Sequence, residues 1–253
     1  MEIRLLGSVA LSSGSDDSLV GVPSGKVRTV LAVLALSPAK SIASEQFVDE
    51  LWLDKPIGNA RNALQANIVR LRKFLERRTG RAGDELVRTV QGGYRLDVDP
   101  QTVDAERFVA LAERGGELVD SHPEQAVVLL ERALRLWRGP ALLDTDTLRC
   151  RLEAVRLDER RLTAQEDLIT AKLAIGQERA VVSELRRLTA EYPERERFSG
   201  QLMVALYRNG RQTEAVNVFH RTRQRLVRDL GLEPGRELRK LYESILIQDQ
   251  VLG

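Results

Sequence analysis

The segment from Gly58 to Leu96 constrains the fold of this 253-residue chain most, because its apolar residues recur with the period of a helix. It reads as one long helix, NARNALQANIVRLRKFLE, a short basic turn and a β-hairpin, ELVRTVQGGYRL. At about 100° per residue, one side of the helix carries residues suited to a core. These are Ala60, Leu64, Ile68, Leu71 and Leu75. The segment therefore predicts a long helix that packs on a core and leads directly into a hairpin.

The opposite side of the predicted helix carries small and polar side chains. They are Asn62, Ala66, Val69, Arg70 and Lys73, flanked by Gln65 and Arg72. Asn, Gln and Arg make two-pronged hydrogen bonds to base edges in the major groove of DNA. From Lys55 to Arg95 ten basic residues stand against three acidic ones, although the whole chain carries a net charge of only +2. Charge alone leaves a solvated helix face as the alternative.

The hairpin favours nucleic-acid binding over a merely solvated face. A helix followed by a basic hairpin is the layout of a winged helix-turn-helix that binds DNA. Gly92-Gly93 would supply the unusual backbone angles of a tight turn in the hairpin. Upstream, EIRLLGSVALS predicts two short antiparallel strands, and KVRTVLAVLALS and SEQFVDELW predict two helices that begin near Lys26 and Ser44. Residues 1–99 are therefore predicted to form an α+β DNA-binding domain.

From Thr102 onwards the pattern predicts helix after helix. The predicted segments are Glu106–Val119, Pro123–Trp137, Thr147–Ile175, Glu178–Tyr192, Glu194–Arg208, Thr213–Leu230 and Arg236–Gln250. A repeat of 34 residues relates Gly176, Val181, Leu185, Leu188 and Pro193 to Gly210, Ala215, Phe219, Thr222 and Val227. This period and spacing are typical of tetratricopeptide repeats, with a generic helical bundle as the alternative. We predict that residues 102–253 form an all-α, tetratricopeptide-like domain, which makes the chain mainly α.

The distribution of charge locates the predicted nucleic-acid-binding region, and the composition argues against a membrane or secreted protein. Residues 1–100 hold 14 basic and 12 acidic side chains and the remainder holds 25 of each, so a basic footprint belongs to the first part. The longest apolar run, Val30 to Leu36, is too short to cross a bilayer. The N-terminus lacks the pattern of a signal peptide, and a single cysteine, Cys150, suits a reducing compartment. We expect a cytoplasmic, nucleoid-associated protein without a membrane partner.

The residues do not assemble a recognisable catalytic or metal site. GVPSGKV falls one residue short of a phosphate-binding loop, and Val27 replaces the hydroxyl that would bind magnesium. His122 and His220 lie on different predicted helices and are accompanied by one cysteine, which gives no metal-ligand spacing. His220 is expected at the surface. We expect no cofactor and no enzymatic activity.

Several strings in the chain resemble the Streptomyces antibiotic regulatory protein (SARP) family of transcription activators. In the first part they are GKVRTVLAVLAL, DELW, NALQANIVRLRKFLE and TVQGGYRLDV. In the second part they are LWRGPALLD and the long string from RERFSGQLMVALYRNG to LRKLYESIL, which is similar to the bacterial transcriptional activation domain (BTAD). The resemblance implies an OmpR-type winged helix joined to a tetratricopeptide-like domain. It also implies activation at direct repeats in the promoters of an antibiotic or other biosynthetic gene cluster, through contact with RNA polymerase.

Specific residues follow from the two-faced helix and the hairpin. Base contacts are expected from Asn62, Gln65, Val69, Arg70 and Lys73. Contacts with the DNA backbone or by the wing are expected from Lys40, Arg72, Arg77, Arg78, Arg88, Thr89 and Gln91. OmpR-type wings often carry Arg where this chain has Gln91, which leaves open whether Arg88 or Arg95 enters the minor groove.

Two further expectations concern partners. The loop before the long helix, with Asp54, Lys55 and Ile57, is expected to contact the polymerase, and the resemblance implies its sigma subunit; packing of Ile57 on Trp52 is the alternative. One wing module covers too few base pairs for genome-level specificity, so we expect two copies on adjacent direct repeats, joined head to tail. The alternative function is a tetratricopeptide-type protein-interaction scaffold, which would explain the second domain but not the wing.

Overall fold

A computed structural model describes residues 1–12, 19–52 and 58–248 of the protein. These residues pack as two compact units. Unit 1 comprises the described residues of 1–113 and 131–162, and unit 2 comprises those of 114–130 and 163–253. These units follow from how the residues pack. The domain boundary at residues 99–102 follows from sequence pattern and stays a prediction.

A three-stranded antiparallel sheet begins unit 1. Its strands are β1 Glu2–Arg4, β2 Ala10–Ser12 and β3 Leu19–Gly21, in the order β1-β2-β3. Ile3 pairs with Leu11, and Leu11 pairs with Val20 on its other side. The two strands predicted from EIRLLGSVALS are thus confirmed. The third was not predicted, because three residues after a polar loop give too little alternation to mark a strand.

A helix-turn-helix with a hairpin follows the sheet. Its elements are α1 Gly25–Ala35, β4 Ser41–Ala43, α2 Ser44–Trp52, α3 Ala60–Thr79, α4 Gly83–Leu86, β5 Val87–Val90 and β6 Gly93–Leu96. The strands form a second antiparallel sheet in the order β4-β6-β5. Lys26 lies in the first turn of α1, as predicted; its ammonium group donates to the main-chain oxygen of Leu51 and lies 5.3 Å from the ring centroid of Trp52. The predicted winged helix-turn-helix is confirmed.

Aromatic and aliphatic side chains fill the core beneath α3. Phe47 of α2 and Tyr94 of β6 meet edge to face, with ring centroids 6.2 Å apart. Leu64, Ile68 and Leu71 of α3 are buried almost completely. Burial of each such side chain contributes about 1.5–3 kcal/mol to folding. The core therefore holds the inner side of α3 and turns its other side to solvent.

Polar contacts connect the N-terminal part of unit 1 to residues that follow the hairpin. The buried carboxylate of Asp104 accepts hydrogen bonds from the main-chain N–H groups of Leu5, at 2.6 Å, and Leu6, at 3.2 Å. Asp144 accepts from Arg28 of α1 at 2.7 Å and from the N–H of Val9 at 2.8 Å. These contacts span about a hundred residues of sequence or more, so local pattern gave no indication of them.

In the described residues after the hairpin, a 3-10 turn at Pro100–Thr102 precedes seven α-helices, and all seven α-helices were predicted. They are α5 Asp104–Glu117, α6 Pro123–Leu134, α7 Leu148–Ala174, α8 Glu178–Glu191, α9 Glu196–Arg208, α10 Gln212–Leu230 and α11 Arg236–Leu246. The observed ends lie within a few residues of the predicted ones, and the end predicted at Gln250 lies outside the described residues. Among the described helices, none combines the length and the apolar character that a bilayer-spanning segment needs.

The helices of unit 2 repeat as the sequence predicts. Gly176 and Gly210, which are 34 residues apart, both adopt positive φ, 75° and 72°, directly after α7 and α9. Leu185 of α8 and Phe219 of α10 occupy the equivalent buried positions on the helices that follow. Two helix pairs therefore stack in register. His220 is exposed, as predicted.

Candidate nucleic-acid interface

The long helix α3 presents the faces that its sequence predicts. Asn59 caps its N-terminus, where the side-chain oxygen accepts a hydrogen bond from the N–H of Asn62 at 3.3 Å. The predicted inward residues Leu64, Ile68, Leu71 and Leu75 are buried, and Ala60, in the first turn, is half-buried. Contacts of the inner face with the core fix the orientation of α3, and the outer face is therefore held in one direction.

All five residues expected to contact bases lie on the exposed face of α3. They are Asn62, Gln65, Val69, Arg70 and Lys73. Val69 is 47% exposed, which is high for an aliphatic side chain in a packed domain. Neither Arg70 nor Lys73 makes an ion pair within the part of the chain that the structure describes. The face therefore offers amide, guanidinium and ammonium donors beside one apolar side chain, a combination that suits base edges and a thymine methyl group.

The hairpin that follows α3 needs its two glycines for different reasons. Gly92 has φ of 78° in the two-residue turn that joins β5 to β6, a conformation that favours glycine. Gly93 pairs with Ala43 of β4, and a Cβ atom at this position would overlap the main-chain oxygen of Ile42. The expected positive φ is confirmed at one glycine, and the other permits close strand packing. Gln91, at the turn, is exposed.

Arg72 joins α3 to the hairpin. Its guanidinium donates to the main-chain oxygen of Val87 through Nε, at 2.9 Å, and through Nη2, at 2.6 Å. Nη2 also donates to Oγ1 of Thr89 at 2.9 Å. The side chain that the sequence suggested for a phosphate contact thus has an internal role that sequence reasoning missed. The partners lie 15 and 17 residues away, and nothing in the helical pattern indicates them.

The arginines of the hairpin share one carboxylate. Arg88 contacts Asp97 at 2.8 Å, and Arg95 contacts the same oxygen of Asp97 at 3.4 Å. The side chain of Arg88 remains 54% exposed. Residues 95 and 97 have the spacing that places side chains on the same side of an extended chain, so the pairing of Arg95 was visible in the sequence. Both arginines stay candidates for the wing contact, and Arg88 is the more exposed.

The remaining basic candidates surround α3. Arg77 and Arg78 are exposed in its last turn, and Lys40 is exposed just before β4. Arg61, in the first turn, pairs with Glu45 of α2 at 2.8 Å.

Asn67 is buried on α3 and donates from Nδ2 to the main-chain oxygen of Ala63 at 2.8 Å. Asn67 is therefore excluded from base contact in this conformation, although its residue type would suit one.

Two kinds of site remain to be considered, the expected polymerase contact and a metal site. Asp54, Lys55 and Ile57, expected to contact the polymerase, lie outside the described residues. Across residues 1–12, 19–52 and 58–248, no three His, Cys, Asp or Glu side chains come together in a way that would hold a metal ion.

Comparison with known proteins matches both parts of the chain. A family model described as transcriptional regulatory protein, C terminal, matches residues 23–96, and one described as bacterial transcriptional activator domain matches residues 103–246. Transcriptional regulator RedD of Streptomyces coelicolor is 46% identical over 255 residues, covering 100% of this chain and 72% of RedD. Regulatory protein DnrI of Streptomyces peucetius is 34% identical over 256 residues, covering 98% of this chain and 93% of DnrI. Both relatives are named as regulators.

A solved structure is similar over almost the whole chain. It is Mycobacterium tuberculosis EmbR in complex with a low-affinity phosphopeptide, with a TM-score of 0.92 and 34% sequence identity. The match covers 98% of this chain and 65% of the EmbR chain. The chain therefore corresponds to about two thirds of that structure.

Proposed function

Because the chain belongs to the Streptomyces antibiotic regulatory protein family of transcription activators, we propose that it binds direct repeats at promoters of a biosynthetic gene cluster and recruits RNA polymerase there. The products of such a cluster would be an antibiotic or another secondary metabolite. The observation that carries the DNA-binding part is the exposed face of α3, where Asn62, Gln65, Val69, Arg70 and Lys73 all point away from the core. The proposed place of action is the nucleoid, in the cytoplasm.

In this proposal the exposed face of α3 lies in the major groove. Asn62 and Gln65 donate and accept at base edges, Arg70 donates to them, and Val69 contacts a thymine methyl group. Lys73 reaches a base or a phosphate at the end of the same face. Each good two-pronged contact would supply about 1–3 kcal/mol of discrimination against the wrong base. The core contacts of the inner face support this role, because they hold the helix rigidly.

Contacts with the DNA backbone set the register of α3 in the groove. Lys40, Arg77 and Arg78 are the proposed phosphate ligands, since each is exposed at an end of the helix-turn-helix. Arg88, Thr89 and Gln91 of the hairpin would meet the neighbouring backbone or the minor groove. Arg72 would act mainly by positioning the hairpin, and a direct phosphate contact would compete with its hydrogen bonds to Val87 and Thr89.

Two copies on adjacent repeats would give the specificity that one module lacks. A module of this size has few base-contacting side chains, and each mismatched base pair costs only about 1–3 kcal/mol. Copies on direct repeats face the same way along the DNA, so their contact is head to tail and not two-fold. Bound in this way, the loop with Asp54, Lys55 and Ile57 would contact the sigma subunit of the polymerase.

The salt dependence of binding tests the DNA-binding part. Fluorescence anisotropy with a random duplex should show log K falling linearly with log salt concentration, by about 0.9 for each phosphate contact. Three or more contacts from Lys40, Arg77, Arg78 and the hairpin would give a slope steeper than about −2.7. A slope near zero would contradict DNA binding by this face.

One observation favours the alternative function, a protein-interaction scaffold. A groove of about 740 Å³ lies among α7, α9 and α11 of unit 2. Its floor is largely apolar, with Leu173, Val204, Leu238 and Leu241 among the residues that line it. Stacked helix pairs commonly use such grooves to bind partners. The scaffold reading predicts almost no salt-dependent binding to random DNA, so the same titration separates the two functions.

A further inference from the structure

A second groove in unit 2 carries strong positive charge. Two adjoining cavities of about 460 and 390 Å³ lie along α8 and α10, and Arg186 lines both of them. We call this surface the arginine groove and define it by its charged residues: Arg179, Arg186, Arg211, Arg221, Arg225 and Glu214. It differs from the apolar groove among α7, α9 and α11, because the two have no lining residue in common.

The charged residues of the arginine groove share faces of their helices. On α8, Arg179 and Arg186 are seven residues apart, which is about two turns. On α10, Glu214, Arg221 and Arg225 follow Arg211, the residue before the helix, at intervals of three, seven and four. Residues with such spacing lie on one side of a helix. The charged residues therefore lie along one side of each helix.

Positive charge in the arginine groove exceeds its internal compensation. Glu214 contacts Arg186 and Arg211, each at 2.8 Å. Arg225 donates to the main-chain oxygen of Thr189 at 3.3 Å. Arg179 and Arg221 make no ion pair with any residue in the described ranges. One carboxylate thus faces five guanidinium groups, and a ligand with carboxylates would meet several donors at once.

The dimensions and lining of the groove select the kind of ligand. Val182, Leu202 and Val218 line the two cavities but are themselves buried, so they offer a ligand little apolar surface and the arginines are its main contacts. The two cavities, of about 460 and 390 Å³, fall in the size range of pockets that hold small ligands, so each has room for a few side chains of a peptide.

We propose that the arginine groove binds an acidic peptide segment of a partner protein. Aspartate or glutamate side chains of the segment contact Arg179, Arg221 and Arg225. The inference concerns unit 2 alone and does not depend on the proposed DNA binding. It assigns a partner-binding role to α8 and α10, the second helices of the two stacked pairs.

Short synthetic peptides that alternate Glu or Asp with Leu or Phe test this proposal against the full-length chain. Matched peptides carry Gln and Asn in place of the acids, and anisotropy measures both sets. The acidic set should bind, and the amide set should bind at least about tenfold more weakly. Affinity for the acidic set should fall as salt is raised, because the groove is partly exposed. Failure of every acidic peptide to bind, or equal binding of the amide set, overturns the proposal.

Paired charge reversals locate the site. Arg179→Glu with Arg221→Glu should weaken acidic-peptide binding at least about tenfold, since repulsion replaces attraction at both walls. The control is Arg236→Glu with Arg239→Glu, on α11 and outside the arginine groove, which should leave the affinity unchanged. Circular dichroism must show that both variants are folded. Equal loss in the two variants, or displacement of the peptide by random duplex DNA, would contradict the assignment.

Discussion

The guanidinium of Arg72 donates twice to the main-chain oxygen of Val87, so the exposed helix α3 and the first strand of the hairpin are connected through one side chain. Two hydrogen bonds to one carbonyl oxygen fix the direction of the guanidinium plane. Because Arg72 lies between the proposed base-contacting face and the core side of α3, these bonds hold the hairpin against the helix.

Arg72→Lys separates positioning from phosphate binding. Lysine keeps the charge but has no planar fork, so it cannot reproduce the bonds to Val87 and Thr89. We expect both this variant and Arg72→Ala to lose about 1–3 kcal/mol of unfolding free energy and to bind DNA more weakly. Urea denaturation and anisotropy measure the two effects. If Arg72→Lys binds DNA as the wild type does, the residue acts as a phosphate ligand and not through the hairpin.

Arg70→Ala and Arg77→Ala should differ in how they affect sequence preference. Arg70 lies on the proposed base-contacting face, and Arg77 lies in the last turn of α3. The first substitution should cost about 1–3 kcal/mol at the cognate repeat and relax preference at one base position. The second should weaken cognate and random DNA about equally. Losses of the same size and the same specificity for both variants would contradict the assignment of faces.

A core substitution on the same helix is the control for that comparison. Leu71 is buried, so Leu71→Ala should lower the unfolding free energy by about 2–5 kcal/mol and reduce binding only through loss of folded protein. Thermal denaturation of Leu71→Ala, measured together with Arg70→Ala and Arg77→Ala, tests this expectation. Unchanged stability would mean that α3 does not pack through this face.

Alanine at Gly92 and at Gly93 should have unequal effects. Gly92→Ala places a side chain at φ of 78°, which costs about 1–2 kcal/mol. Gly93→Ala introduces a Cβ that overlaps the main-chain oxygen of Ile42, so β6 must separate from β4. We expect the second variant to lose more stability and more DNA affinity. Equal unfolding midpoints of the two variants would show that β4 can move away from β6 without loss of stability.

Asp104→Asn should change the pH dependence of stability. Burial raises the pKa of Asp104 above its ordinary value, against the lowering effect of the Leu5 and Leu6 N–H groups. The folded protein therefore binds this proton more readily than the unfolded chain does. The contribution of Asp104 to stability is largest below its ordinary pKa and is lost as pH rises through the raised value.

Denaturation at a series of pH values measures this effect. Asparagine does not titrate, so the variant should lack the part of the decline that begins just above the ordinary aspartate pKa of about 3.9. If the unfolding free energy depends on pH in the same way in wild type and variant, the hydrogen bonds from Leu5 and Leu6 offset the effect of burial on the pKa of Asp104 completely.

Asp54→Ala with Lys55→Ala tests the proposed polymerase contact. Both positions precede α3 in the sequence, in a segment that the sequence predicts to be a turn. We expect normal promoter binding with reduced transcription in a purified system. Normal transcription would place the contact elsewhere, most directly on the helical part of the chain.

Sequence pattern predicted the elements that depend on local period and missed those that depend on distant partners. Spacing along α3 identified its buried and exposed faces, because burial follows the helical period over many residues. The strands β1 and β2 lie in one alternating run of eleven residues, EIRLLGSVALS, whereas β3 and β4 are isolated three-residue strands with no such run around them. The bonds of Arg72 to Val87, and of Asp104 to Leu5, depend on how separate elements meet, which no local pattern records.

The hydrogen bonds of Asp104 and Asp144 limit how this protein can be divided. A fragment that ended after the hairpin would leave the N–H groups of Leu5 and Leu6 without their acceptor and Arg28 without Asp144. Unpaired buried donors cost about 1–3 kcal/mol each. The segment that we propose to bind DNA therefore cannot be transferred to another protein on its own without loss of stability. Engineered chimeras should exchange it together with residues 104–113 and 131–162.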